Sequence, residues 1–507
     1  MLLASSVLLC LVVAEGATRL ADELPLVDLP LPKAFDAIGL DTTVAHLDEV
    51  PRAAGVARDW FFGDPPPLPN RNRPSREWIE LDRLIEMNSQ ARGNSFRQDF
   101  KPWDMFKAWN AAFVGDPCTN SFFSGAPGRL FVFDPPDSSQ RPIYRYLPNA
   151  TMPRGLGLVT NQFGWRGPPV RFARSEKTVR IVFVGASTTV GNHSAPYSYP
   201  ELVGHWLNLW AAAHHPDIQF EVLNAGREAI TSPDIAAIVR QEVAPLHPDL
   251  VVYYEGANQF QLSTVVKNMP ADALARRLEA KSAGIIARWL GDASRYLALA
   301  RRAQALMGLV ELPERGREWP KPDYEIAWPH GLDEVDPDLG RPDLPVNLGA
   351  ILLDLDHIRT DLAAVDGELV LSSFMWLVKD GMVLNPIRNR LILEYLNVYN
   401  FPFRYRDMER LATFQNRVFA KYASTHELAF IDEAHAMPFD PDLFTDAIHN
   451  TYPGMRMQAW VVLQQLLPIV QKHLASGAWP KPAPIMGDTH PAFKVEPRQV
   501  TFECKSQ

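Results

Sequence analysis

Four short segments carry residue types that could do chemistry together. The first is Gly185-Ala186-Ser187-Thr188-Thr189-Val190-Gly191, directly after a β-branched apolar run. At a strand-to-helix turn, a serine two residues past a glycine exposes its hydroxyl beside backbone N–H groups that favour a developing oxyanion. The alternative is a serine that only caps the helix. The segment is not a phosphate-binding P-loop, because no lysine follows its second glycine. It also departs from the nucleophile elbow, because Thr189 stands where that motif has its second glycine. Asn224-Ala225-Gly226 and Glu255-Gly256-Ala257-Asn258 follow two further apolar runs. Glycine lets a backbone N–H approach a ligand with no Cβ in the way. An asparagine amide can donate to an oxyanion, and each segment taken alone also fits an ordinary turn. In Asp446-Ala447-Ile448-His449 a carboxylate precedes an imidazole by three residues. It can reach Nδ1–H and leave Nε2 free as a base. Asp432-Glu433-Ala434-His435 repeats that spacing, but it starts at the end of an apolar run rather than in the loop before the last helix. His214, His215, His330 and His357 have no partner at such a spacing and read as surface or core histidines.

The elements that must position these residues follow from the apolar pattern. Strands are predicted at 179–184, 220–224, 250–254, 369–374 and 428–432, and helices at about 199–213, 234–243, 407–424 and 454–474. Apolar strands alternating with helices predict a parallel five-stranded sheet covered on both faces, an α/β protein of three layers, α/β/α. Ligands of such sheets bind outside the carboxyl ends of the strands, where the four segments fall. The sheet domain is placed at 173–478. Between its third and fourth strands lies an insertion, 261–348, with an Ala/Leu/Arg-rich helical part (270–310) and a Pro/Asp-rich part (312–345). An N-terminal extension, 20–172, is Pro-rich to residue 75, has helical spacing over 76–110, and is rich in turn residues over 115–172. Residues 479–507 form a C-terminal tail.

Composition narrows the function. The chain has 507 residues, 47% hydrophobic and 21% charged, which excludes a disordered or fibrous protein. A net charge of −9 with no long basic run argues against nucleic acid as a partner. Three cysteines, Cys10, Cys118 and Cys504, with no C-x-x-C, exclude a disulfide framework and a cysteine-based zinc site. A single Cys118–Cys504 bridge fits an exported protein, and free thiols are the favoured reading. The first 14 residues are almost wholly apolar. As a helix they would span about 21 Å, short of a bilayer core of roughly 30 Å. They read as a signal or anchor over 1–19 that lacks a basic start, with a buried core helix as the alternative. The chain is therefore expected to be exported, periplasmic or membrane-anchored, with any membrane association made through its N-terminus.

Ser187, Gly226, Asn258 and His449, in that order on successive strand ends, resemble the four signature blocks of the SGNH/GDSL hydrolase superfamily. The resemblance covers about 179–475. Thr160-Asn161-Gln162-Phe163-Gly164-Trp165-Arg166-Gly167 is similar to the segment before the nucleophile block in many exported bacterial members, and the apolar start ending in Glu15 and Arg19 looks like their anchor. The chain departs in reading Gly-Ala-Ser-Thr at the first block and Gly-Ala-Asn-Gln at the third. The resemblance implies a flavodoxin-like sheet and a serine esterase acting on a small-molecule or glycan ester, with O-acyl groups on carbohydrate as one candidate. Ser187 would be the nucleophile, His449 the base and Asp446 its orienting partner. The backbone N–H groups of Ser187 and Gly226 and the Asn258 amide would form the oxyanion hole. No metal and no organic cofactor is implied. Two alternatives stand beside this: an O-acyltransferase using the same residues, and a non-catalytic carbohydrate-binding protein on the same fold. Related-looking acetyltransferases carry the Asp-His pair before the serine, so its position after Ser187 favours hydrolysis.

Overall fold

The computed structural model describes residues 2–21, 26, 41–68, 127–132, 141–142, 146, 159–191, 195–268, 297–307, 316–385, 388–482 and 498–503. Strands β1 (Thr178–Gly185), β2 (Gln219–Asn224), β3 (Leu250–Tyr254), β4 (Glu368–Ser372) and β5 (Ala429–Ile431) form one sheet. Their spatial order is β2-β1-β3-β4-β5 and every pair is parallel, the flavodoxin-like order. Every residue of β1 and β3 is buried, as central strands covered on both faces require. Phe183 lies opposite Asn224, and Gly185 opposite Tyr254. This register brings the carboxyl ends of β1, β2 and β3 to one edge.

The helices that matter here are α1 (Leu2–Ala21), α2 (Ser187–Val190), α3 (Tyr199–His214), α4 (Ser232–Ile238), α5 (Ala298–Leu306), α6 (Leu348–Ala363), α7 (Tyr405–Thr425) and α8 (Tyr452–Ala475). α3 and α8 pack together on one side of the sheet, and α4, α6 and α7 cover the other. α3 starts at a capping box between Ser198 and Glu201, with Pro200 in its first turn. α8 starts at Thr451, whose side chain accepts the Gly454 N–H. Trp206 of α3 and Trp460 of α8 meet edge to face at 5.4 Å, and Phe61 of the N-terminal extension stacks on Trp206. The buried Arg456 donates to the carbonyls of Phe61 and Gly63 and pairs with Asp64. Residues 58–64 of the extension are thereby fastened to α8.

Two elements end differently from the sequence expectation. The fourth strand stops at Ser372 rather than 374, because the Asn416 side chain takes both the N–H and the C=O of Phe374. The helix expected over 234–243 starts at Ser232, after a capping box between Thr231 and Asp234, and widens into a π turn over Val239–Val243. That turn carries Glu242, buried against the Trp165 indole and the Arg227 guanidinium. Strand Pro127–Val132 pairs antiparallel with Arg498–Glu503, which joins two segments far apart in sequence. Within the insertion, Val266–Lys267 pairs with Glu325–Ile326. Glu15 of α1 binds Arg19 at 2.7 Å and caps α5 through the N–H groups of Ala298 and Leu299. Among the described residues no helix is long and apolar enough to cross a membrane. The helical spacing over 76–110, most of 270–310, and Cys118 and Cys504 lie outside the described residues.

Candidate active site

Three of the sequence-predicted residues meet at the carboxyl edge of the sheet. The Ser187 hydroxyl lies 2.8 Å from His449 Nε2, and His449 Nδ1 lies 2.8 Å from Asp446 Oδ2. The other carboxylate oxygen, Asp446 Oδ1, accepts the backbone N–H groups of Ile448 and His449 at 2.9 and 2.8 Å. One carboxylate therefore fixes both the ring and the turn that carries it. The turn is closed by Thr445 N–H bonding the His449 carbonyl at 2.7 Å. It is tied to the segment after β4 by Leu377 N–H on the Ala447 carbonyl at 2.8 Å. Gly454, at the start of α8, must be glycine, because a Cβ there would stand 1.7 Å from the Leu443 carbonyl oxygen.

Ser187 is the first residue of α2, so its N–H has no partner within the helix. The turn is held from three sides. Thr189 donates its hydroxyl to the Tyr254 carbonyl at 3.0 Å. Gly185 leaves room for that bond, since a Cβ would stand 2.1 Å from both Thr189 Oγ1 and the Tyr254 oxygen. The buried Arg166 donates to the carbonyls of Val190 (3.0 Å) and Ala195 (2.8 Å) and pairs with Glu201. The segment Thr160–Gly167 thus clamps the end of the serine turn, a role the sequence did not disclose.

The other two donor candidates, Gly226 and Asn258, already have partners. Asn224 bonds the Thr189 carbonyl and Ser198 Oγ through its amide nitrogen, and its Oδ1 accepts the Gly226 N–H at 3.0 Å. The Gly226 N–H, expected to face an oxyanion, is therefore already used by a neighbouring side chain. The glycine itself is required, because a Cβ would stand 2.7 Å from Val190 N. The Asn258 amide donates to the Ile230 carbonyl at 2.7 Å. An amide nitrogen carries two hydrogens, so this bond leaves one for a ligand.

The electrostatics suit a base at position 449. Burial disfavours the imidazolium, but the Asp446 carboxylate, with Glu228 and Glu255 behind it, outweighs burial and holds His449 above its ordinary value. Burial also pushes Asp446 up, and His449 with the two N–H bonds holds it below the usual carboxylate value. Glu255 was not singled out from the sequence. It is buried, and burial pushes its carboxyl up to about 7 against the N–H bonds it accepts from Asn258 and Ala257. Among the described residues no group of His, Cys, Asp and Glu side chains is arranged to hold a metal ion.

No family model and no curated protein matches the chain. Solved structures are similar over part of this chain. A lipase/acylhydrolase from Enterococcus faecalis is 15% identical, with 57% of this chain and 96% of that one covered and a TM-score of 0.30. An acetylxylan esterase from Geobacillus stearothermophilus is 14% identical, covering 58% and 96% at a TM-score of 0.29. An α/β hydrolase from the metagenome of Lake Arreo, Spain, is 14% identical, covering 56% and 94% at 0.28.

The second Asp-x-x-His pair is also formed. His435 Nδ1 lies 2.8 Å from Asp432, but the imidazole is 77% exposed. Asp432 also accepts the buried Ser373 hydroxyl at 3.0 Å, so this serine bonds the carboxylate rather than the ring. The first pair offers a hydroxyl next to a base, whereas the second is a solvated carboxylate–imidazole contact.

Proposed function

We propose that the protein is a serine esterase. The observation that carries this reading is the unbroken chain Ser187 Oγ, His449 Nε2, His449 Nδ1, Asp446 Oδ2, with both links at 2.8 Å. His449 takes the serine proton as Oγ attacks an ester carbonyl, and Asp446 stabilises the imidazolium that forms. The oxyanion is received by the Ser187 N–H and the second N–H of the Asn258 amide. Gly226 gives room for the serine turn, and its N–H must be shared with Asn224 if it also contributes. The imidazolium protonates the leaving alcohol, and water then releases the acyl group by the same base.

An O-acylated carbohydrate is the substrate class we put first. From the segment tied to Ala447, a run of rings leads outward: Phe260 to Trp376 at 5.0 Å, Trp376 to Tyr395 at 6.3 Å, and Tyr395 to Tyr399 at 6.0 Å. Phe260 and Trp376 are buried and the outermost ring, Tyr399, is 76% exposed; an exposed ring of this kind suits the apolar face of a sugar. We also read α1 as the part that meets a membrane, since Leu8, Leu9, Val12 and Val13 are all more than 60% exposed. Deleting 2–14 should then abolish co-sedimentation with lipid vesicles, and unchanged sedimentation would refute that reading. For the activity, the test is acyl release from acetyl, butyryl and long-chain esters and from acetylated glycans, with and without an acceptor sugar. Release to water is expected. Transfer to the sugar alone, or no turnover of any ester by folded protein, would overturn the esterase reading.

A further inference from the structure

Glu255, the first residue after β3, is buried at the site, and the steps above do not use it. Its Oε1 accepts the N–H of Ala257 at 2.9 Å and of Asn258 at 2.7 Å. Beneath this turn, Gly256 is packed so closely that a Cβ would stand 2.3 Å from Gln415 Nε2 and 2.7 Å from Phe374 Cβ. The turn is held from below by packing and from inside by one carboxylate oxygen. Asn258 is itself exposed, so its backbone is fixed by Glu255 and its side chain by the Ile230 carbonyl.

We propose that Glu255 is a positioning residue for the reaction at Ser187, setting the Asn258 amide through the turn it holds. This inference rests on the esterase reading. The titratable groups facing Glu255 are His449 from the loop before α8, Tyr395 from the helical turn Tyr395–Tyr399, and Tyr253 in β3 itself. Burial, with nearby carboxylates, holds both tyrosines far above neutrality, so they stay protonated while Glu255 and His449 titrate. An ionised Glu255 stabilises the imidazolium, so removing its charge lets His449 lose its proton at lower pH.

The test is Glu255→Gln in the full chain, with kcat and KM for a small aryl ester followed across the pH range, beside Ser187→Ala and Asn258→Ala. The glutamine keeps the length and removes the charge, which weakens the two N–H bonds that hold the turn and lets the Asn258 amide shift. Displacing one oxyanion donor should lower kcat by about tenfold, part of the 10²–10³ seen for outright loss of one, with KM nearly unchanged. The acid limb of kcat/KM should move to lower pH. In an Asn258→Ala background the kcat effect should vanish while the limb still moves. If Ser187→Ala is inactive and Glu255→Gln has wild-type kcat and acid limb, this inference is overturned and the esterase reading stands. If Ser187→Ala is fully active, the esterase reading falls first. Should Glu255→Gln not fold, Glu255→Asp decides. It keeps the charge but is one methylene short, so kcat should drop with the limb in place, and wild-type kcat there overturns the proposal.

Discussion

The chain contains two Asp-x-x-His turns, Asp432–His435 and Asp446–His449, and both close the same 2.8 Å bond between carboxylate and Nδ1. They differ in what lies on the far side of the ring. His449 aims Nε2 at Ser187 and is 19% exposed, whereas His435 faces water at 77%. Their carboxylates also differ. Asp446 spends its second oxygen on its own turn, while Asp432 accepts the Ser373 hydroxyl and its carboxylate makes no cap to the short helix, Glu433–Ala436, that follows it. Spacing makes the pair, and the loop that carries it decides whether the pair has a nucleophile to serve.

The largest effect should come from exchanging histidine for alanine in each pair. His449→Ala should lower kcat by about 10⁴-fold or more, and adding Ser187→Ala should cost little further, because such residues act as a unit. His435→Ala removes an exposed side-chain contact and should change stability by only about 0.5 kcal/mol with kcat intact. Steady-state kinetics normalised to folded protein reads both. An inactive His435→Ala would reverse the assignment of the two pairs.

A smaller effect is expected at Asn258. Loss of one oxyanion donor typically costs about 10²–10³ in kcat, so Asn258→Ala should lower kcat with KM nearly constant. If Asn258 serves only to bind Ile230, the variant should melt earlier with normal kcat per folded molecule.

The pH dependence separates the pairs next. Neutral His449 is the active form, and its raised pKa places the acid limb of kcat/KM above the ordinary histidine value near 6.5. Within the other pair, Glu433 is buried, and burial pushes its carboxyl up to about 8 against bonds from Tyr254, Gln458 and Ser372. Between the ordinary value of 4.5 and about 8 the folded protein keeps this proton and the unfolded chain loses it. Stability from this group therefore falls as pH rises through that window. Glu433→Gln should flatten the fall of the melting temperature between those limits and leave kcat unchanged. The same slope in wild type and variant would remove Glu433 as its source.

The sequence made the sheet legible because β1 and β3 are apolar on both faces, which leaves few alternatives for Val179–Val184 and Leu250–Tyr254. It also pointed to Ser187, Asp446 and His449, whose side chains meet in the structure, because each lies just past a strand or in the turn before α8. What it could not show are contacts set by tertiary packing. Arg166 reaches Val190 and Ala195 across 24 and 29 residues. Phe61 reaches α8 across 395 residues. The π turn at Val239–Val243 accompanies burial of Glu242 against Trp165 and Arg227, and no local periodicity reports that. Gly226 was legible as a glycine that must stay small, but the capture of its N–H by Asn224 depends on a side-chain rotamer. Glu255 was visible only as the residue before Gly256, since its weight comes from burial.

The central claim is that Ser187 is a nucleophile activated by His449. The most direct measurement is intact-mass and peptide mass spectrometry after exposure to a fluorophosphonate, which reacts covalently with activated serines. One adduct is expected, on the peptide carrying Ser187. It should be absent from Ser187→Ala, strongly slowed in His449→Ala, and formed at the wild-type rate in His435→Ala. An adduct that persists in folded Ser187→Ala, or that depends on His435 rather than His449, would contradict the account.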